Sequence, residues 1–138
     1  MMAGPGRLLC ATALATLGLT GAASATASVA CTGVDDPGTS VLLTLGRVPV
    51  LAVVNAVIEA DGTVYATNPP EGEDAETILF GQGYTSSERL WADFTDPNVE
   101  EILITLRLER AFEDKAGAEA GILRIVGQGA YAVTCETG

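Results

Sequence analysis

The chain has no histidine and only one lysine, Lys115, among its 138 residues. Because histidine is absent, neither a Ser-His-Asp triad nor a Cys-His pair can form, and a zinc site would depend on carboxylates and thiols alone. The glycine motifs that cradle phosphates, GxxxxGKS/T and GxGxxG, do not occur either. These absences exclude the commonest nucleophilic and nucleotide-dependent chemistries.

Aromatic residues are scarce, with one tryptophan, three tyrosines and three phenylalanines. A glycosidase holds its sugar between two carboxylates in a deep cleft, and a small domain with so few aromatic rings rarely builds one. We therefore expect a protein that is not an enzyme and has no cofactor. A carboxylate-based hydrolase is the alternative, because eighteen acidic residues always place some pair close together.

Positive charge is also scarce, since seven basic residues against eighteen acidic residues give a formal net charge of −11. Nucleic acid and anionic membrane surfaces would repel such a chain, so neither is an expected partner. The same charge favours a cationic protein partner, and its simplest role is solubility.

The first residues have the pattern of a secretory signal peptide. Arg7 is the only charged residue before Asp35, and it is followed by the apolar run LLCATALATLGL and the small-residue tract TGAASATASVA. A-x-A sites in this tract predict cleavage after residue 25 or after residue 27. An uncleaved membrane anchor is the alternative, since residues 8–30 carry no charge. We predict a signal peptide over residues 1–25 and a single domain over residues 26–138, which is periplasmic or secreted and not inserted in a membrane after cleavage.

Two cysteines remain after cleavage, because Cys10 lies in the signal peptide. Cys31 and Cys135 lie near the two ends of the domain, and an even pair in an exported protein predicts a disulfide. We expect it to join the first and last strands near the seam of the sheet. Closing a loop of about a hundred residues contributes roughly 4–5 kcal/mol at most. Lipidation of Cys31 is the alternative, and it would leave Cys135 unpaired.

The dominant hydrophobic period is two, which is typical of strands with one buried face. In EEILITLRLER, large apolar residues recur at every second position from 102 to 108. A polar turn over residues 113–121, a strand at ILRIV, a turn at GQG (127–129) and a last strand at AYAVTCE follow. The last forty residues are thus predicted to form a three-stranded antiparallel meander.

The first half contains further short strands at SVACTG, SVLLTLG, TILFGQG and SERLWADFT. In LAVVNAVIEADGTVYAT, the pair Asp61-Gly62 predicts a hairpin, and a buried helix over residues 51–60 is the alternative. The second GQG, at residues 81–83, is interpreted as a turn of the same chemistry. With eight or nine strands in all, the fold class is all-β: a small antiparallel β-sandwich or partly closed β-barrel of about eight strands with one disulfide.

Trp91, the only tryptophan, alternates with the apolar residues Leu90 and Phe94. The favoured interpretation places Trp91 in the core. In the alternative it is exposed beside Tyr84 and Arg89, and the three residues form the kind of aromatic and arginine patch that anchors interfaces.

The acidic loop from Glu71 to Glu76 could bind calcium, which takes several oxygen ligands. Its spacing matches no EF-hand, and a solvated loop is the favoured interpretation. Asp93, Asp96 and Asn98 form a second weak cluster of the same kind. Whether any metal binds is left unknown.

The function predicted from these features is that of a non-catalytic binding or envelope module. ACTG at residues 30–33 and ADGTVYA at 60–66 are similar to a cysteine- and glycine-containing stretch and a Ser-Gly-x-x-Tyr stretch of the periplasmic lysozyme inhibitors, which are small disulfide-tied β-barrels. This resemblance implies an inhibitor of a cationic enzyme such as lysozyme. The chain departs from the family where Asp61 replaces the serine and where about fifty residues follow LFGQG. Unpaired edge strands could join two copies, so the oligomeric state is left open.

Overall fold

The computed structural model describes residues 26–138, so the predicted signal peptide lies outside the described residues. Every regular element in this range is a strand, which confirms the all-β class, and none of its segments is a helix long and apolar enough to cross a membrane. The ten strands are β1 (Ala27–Gly33), β2 (Ser40–Leu45), β3 (Val53–Ala60), β4 (Thr63–Ala66), β5 (Glu76–Thr77), β6 (Leu79–Thr85), β7 (Arg89–Thr95), β8 (Ile102–Glu113), β9 (Ala116–Ile125) and β10 (Gly129–Thr137).

All ten strands belong to one sheet, in the order β5-β4-β3-β2-β1-β10-β9-β8-β7-β6. Neighbouring strands are antiparallel, except for β4 and β5, which are parallel. The two edges of this order, β5 and β6, are separated in the chain only by Ile78, which is fully buried. The sheet therefore curls until its edges almost meet, and it forms a nearly closed barrel.

The closing segment runs from β5 through Ile78 into β6. Its first part pairs with β4, and the N–H of Ile78 continues this pairing by donating to the carbonyl of Ala66 at 3.0 Å. Its second part pairs with β7. The outer edge of β6 has no paired strand among the described residues.

One hydrophobic cluster fills the inside of the barrel. It follows the predicted alternation, because Ile104, Leu106 and Leu108 on β8 are fully buried, as are Leu90 and Phe94 on β7. Each such side chain contributes about 1.5–3 kcal/mol when it leaves water. The alternation along the strands is therefore what holds the sheet in its curled form.

The predicted disulfide between Cys31 and Cys135 is present and joins β1 to β10, the first and last strands. Ser28 and Gly138 exchange both backbone hydrogen bonds, so the cysteines, three residues further along, face each other at a non-hydrogen-bonded position. Opposite Cα atoms approach most closely there, and these two are 4.0 Å apart. The expected location near the seam is wrong, since β1 and β10 lie in the middle of the sheet.

The Asp61-Gly62 hairpin is confirmed, and the alternative helix over residues 51–60 is not formed. Asp61 and Gly62 have φ angles of 49° and 76°, which is the left-handed pair that a tight two-residue turn requires. The Oη of Tyr131 on β10 donates to the carboxylate of Asp61 at 2.5 Å. The Tyr65 hydroxyl donates to Gln128 at 2.6 Å, and the Gln128 amide donates to the carbonyl of Ala60 at 2.7 Å. This network ties two turns across one end of the barrel.

The predicted polar turn over residues 113–121 is wrong. The turn contains only Asp114 and Lys115, and β8 and β9 continue on either side as one long hairpin. Alanine and glycine favour strands weakly, so the small residues of β9 do not reveal the strand. Pairing with β8 is what extends them, and the Phe112 ring lies over Gly117.

The interpretation of both GQG segments as turns is correct for Gly127 and Gln128, while Gly129 already begins β10, and it is wrong for residues 81–83. Gly81 is an extra residue in β6, where the register with β7 shifts between Phe80 and Gln82. The strand count is ten rather than about eight, and the short parallel strand β5 is the one that the sequence pattern missed.

Candidate functional site

Three large polar or aromatic side chains lie in one row on the outer face of the sheet. Tyr84 on β6 is directly opposite Trp91 on β7, and Trp91 is directly opposite Arg107 on β8. Arg89 lies two residues before Trp91 and therefore on the same face. We call these four residues the Trp91 patch.

The core-filling interpretation of Trp91 is wrong, because Leu90, Ala92 and Phe94 occupy the inner face of β7. Trp91 is half-buried by its neighbours on the outer face instead. The guanidinium carbons of Arg89 and Arg107 lie 5.6 and 5.4 Å from the centre of its ring. Such cation–π contacts contribute about 0.5–1 kcal/mol each at exposed sites. These contacts hold the Trp91 ring against both guanidinium groups.

Tyr84 is exposed over 52% of its surface. Its ring centre lies 5.9 Å from that of Trp91, with the two planes tilted by 54°. The structure thus brings together the three residues that the sequence proposed, Tyr84, Arg89 and Trp91, and it adds Arg107. The sequence alone could not add Arg107, because the register of β7 against β8 decides which residue faces Trp91.

A groove of about 350 Å³, open to solvent, runs beside the patch along β6 and β7. Asp93, which is only 5% exposed, lies in it on the outer face. Arg107 donates to one carboxylate oxygen of Asp93 at 2.7 Å, and the side-chain amide of Gln82 donates to the other at 2.7 Å. These charge-assisted bonds fix Arg107 beside Trp91.

The backbone behind Arg107 is equally constrained. A Cβ atom on Gly121 of β9 would lie 1.8 Å from the carbonyl oxygen of Arg107. Only glycine lets β9 come this close to β8, so this glycine contributes to the position of the patch.

A second depression, of about 280 Å³, continues from Gln82 and Asp93 to the loop before β8. Asp96 organises this loop by accepting hydrogen bonds from the backbone N–H groups of Glu101 at 2.7 Å, Glu100 at 2.8 Å and Asn98 at 3.0 Å. These bonds, above all that from Glu101, lower the pKa of the Asp96 carboxyl. The Asp96 carboxylate therefore has its hydrogen bonds within its own loop.

The acidic side chains of residues 26–138 do not form a cluster that could bind a metal ion. Glu71, Glu73, Asp74 and Glu76 are all exposed. Across residues 26–138, no three acidic, cysteine or histidine side chains are placed to hold a metal ion together. Asp93 and Asp96, which the sequence grouped with Asn98, have separate partners in Arg107 and the loop backbone.

The groove presents aromatic surface and hydrogen-bond donors to solvent. Guanidinium groups cover part of the indole, so its edge and the Tyr84 ring are the free aromatic surface, and Arg89 and Arg107 supply donors for carboxylate or carbonyl oxygens. Tyrosine, tryptophan and arginine are the residues enriched at the energetic centres of protein interfaces.

In comparisons with known proteins, no protein-family model, no curated protein and no solved structure matches the chain.

Proposed function

We propose that this chain is a non-catalytic binding module that works outside the cytoplasm and contacts a protein partner through the Trp91 patch. The observation that carries the proposal is the grouping of the single tryptophan with Tyr84, Arg89 and Arg107 on an outer sheet face. A side chain as costly to expose as tryptophan is more useful in an interface than in solvent.

The charge distribution supports a cationic partner. The three ion pairs formed among residues 26–138 engage only Asp93, Glu109 and Glu119 of the eighteen acids. The remaining negative charge would speed encounter with a basic protein, because long-range attraction raises association rates. The negative charge therefore indicates which class of partner is favoured, and it does not determine how tightly that partner binds.

The disulfide supports a location in the periplasm or outside the cell, where such bonds persist. Between the two cleavage sites, we favour the one after Ala25. Ala27 is the first residue of β1 and is paired with Leu45, so cleavage after Ala27 would shorten that strand. The intact mass of the exported protein distinguishes the two sites, since the favoured one gives a chain that begins with Thr26.

The proposal is tested by affinity capture from an envelope extract with the oxidised domain beginning at Thr26. The double variant Trp91→Ala/Arg107→Ala removes the centre of the patch, so we expect it to lose a protein that the unaltered domain captures. Leu42→Ala is the matched control, since Leu42 is 47% exposed on the outer face of β2, away from the patch. Equal capture by all three proteins would reject the patch as the binding surface.

Inhibition of a cationic enzyme such as lysozyme is the second candidate, favoured by the unpaired acids and by the sequence resemblance. We expect the domain at micromolar concentration to slow lysozyme in low salt, with the effect weakening as salt screens the charges. An unchanged lysozyme rate at every salt concentration would eliminate this candidate and leave the binding module itself standing.

A further inference from the structure

The outer edge of β6 is the longest unpaired strand edge in residues 26–138. The edge at the other end of the sheet, β5, has only two residues, whereas β6 has seven and all of them except the half-buried Phe80 are exposed. The barrel is therefore open along β6, after it has closed at Ile78.

The sequence of β6 has almost none of the features that protect an exposed edge. Proteins usually blunt such edges with charged residues or proline, but neither occurs between Glu76 and Glu88. The single bulge at Gly81 interrupts the edge near its start.

The backbone groups available on this edge can be identified. The N–H of Ser86 donates to the carbonyl of Arg89 at 2.8 Å, so Ser86 faces β7. Because hydrogen-bonding direction alternates along a strand, Tyr84 also faces β7, whereas Gly83 and Thr85 direct their N–H and C=O groups away from it. On the inner side of β6, the Leu51 side chain packs directly on Gly83 and covers the core there.

The charges near the edge indicate what fits it. The loop that leads into β5 carries Glu71, Glu73 and Asp74, and Glu76 is the first residue of β5. All four are exposed, and none is in an ion pair of the described residues. This loop lies at the end of β6 that begins with Leu79. A strand paired along β6 would direct one of its ends toward these carboxylates. A second copy of the chain is disfavoured, because the two copies carry the same net negative charge and would repel each other.

We propose that β6 accepts an extended segment of a basic partner protein as an additional strand, with lysine or arginine residues at the end that meets the Glu71–Glu76 loop. Backbone pairing with Gly83 and Thr85 supplies the attachment, and the loop supplies the preference for basic residues. The added strand lies beside Tyr84, so it extends the outer face that holds the Trp91 patch. The inference rests on the proposed binding function and names its mode and the class of its partner.

The probe is the capped peptide Val-Thr-Val-Thr-Val-Lys-Lys, with a Glu-Glu ending as its counterpart. We expect the lysine peptide, up to millimolar concentration, to shift the NMR signals of the Gly83 and Thr85 amides and to slow their hydrogen exchange. The glutamate peptide should bind about tenfold more weakly. Unmoved amides at both positions, or equal binding of the two peptides, would overturn the proposal.

A variant pair tests the backbone contact directly. Thr85→Pro removes the N–H on the free edge and keeps the bonds of Tyr84 and Ser86 to β7, so it should weaken peptide binding about tenfold. Thr85→Val keeps the N–H and should bind like the unaltered chain. Full peptide binding by Thr85→Pro would contradict strand addition.

The two proposals fail separately. If Thr85→Pro still captures the partner that Trp91→Ala/Arg107→Ala loses, the patch binds without strand addition. If sedimentation shows that the unaltered chain is a dimer and Thr85→Pro is a monomer, the edge serves a second copy and the basic partner is rejected.

Discussion

Asp93 is the residue that connects the stability of the sheet with the shape of the candidate site. Its carboxylate is buried although it lies on the outer face of the sheet, where most side chains are exposed to solvent. It accepts hydrogen bonds from Arg107 and Gln82. Because the carboxylate is shielded from water, salt screens this pair less than a fully exposed one. Arg89 and Glu109, by contrast, form an exposed pair at 3.2 Å in the neighbouring row.

Neutralising each acid in turn should show that the two ion pairs contribute differently to the free energy of unfolding. Asp93→Asn leaves Arg107 without its charged partner and should lower the free energy of unfolding by about 2 kcal/mol. Glu109→Gln, the matched control, should change it by less than about 0.5 kcal/mol. Urea unfolding of both variants measures the difference, and equal effects would mean that Asp93 does not hold the patch.

At the scale of elements, two turns decide how one end of the barrel closes. The Asp61-Gly62 turn meets the turn containing Gln128 through the hydroxyl groups of Tyr65 and Tyr131. Burial, followed by the charge of Glu76, raises the pKa of Tyr65, and the hydrogen bond to Asp61, followed by burial, raises the pKa of Tyr131. Both hydroxyls must keep their protons for the network to persist.

This network predicts a loss of stability in alkali. Because the pKa values are raised in the folded state, the stabilisation is complete below the ordinary tyrosine value of 10.0 and disappears as the pH rises through the raised values. Thermal unfolding from about pH 8 to about pH 11 should show this decline. Tyr65→Phe/Tyr131→Phe should be less stable at neutral pH but decline less steeply, and a decline as steep as that of the unaltered chain would contradict the role of the network.

The strands that can be predicted from the sequence are those whose hydrophobic alternation or turn residues lie within the element itself. The alternation at residues 102–108 and the Asp61-Gly62 pair each determine their own element, and both are confirmed. Gly81 and the small residues of β9 depend on a neighbouring strand, so their environment could not be inferred from the chain. The same limit applies to the site, since Tyr84, Arg89 and Trp91 are close in sequence and Arg107 joins them only through the pairing of β7 with β8.

At the scale of the whole molecule, the disulfide ties together the two ends of the described chain. Cys31 and Cys135 are separated by 104 residues, and they join the middle of the sheet while the edges are left to meet at Ile78. The bond therefore closes a loop that spans most of the described chain, which restricts the unfolded state, and it lies far from the open edge of β6.

Reduction should destabilise the domain without altering its surface. The chain-entropy model gives a loss of up to about 4–5 kcal/mol for a loop of this size. Urea midpoints with and without reductant measure it, with Cys31→Ala/Cys135→Ala as the control that reductant should leave unchanged. Alkylation of the unfolded, unreduced protein should label neither cysteine, and free labelling of both would show that the bond is not formed.

We propose that the Trp91 patch is where the molecule meets its partner. The most direct test of this claim is to place a photoreactive phenylalanine analogue at position 84 in one strain and at position 42 in another, both exporting the protein, and to irradiate living cells. We predict a covalent adduct with a second protein from position 84, abolished by Trp91→Ala/Arg107→Ala, and none from position 42. An adduct that forms equally from both positions, or from position 42 alone, would contradict the claim.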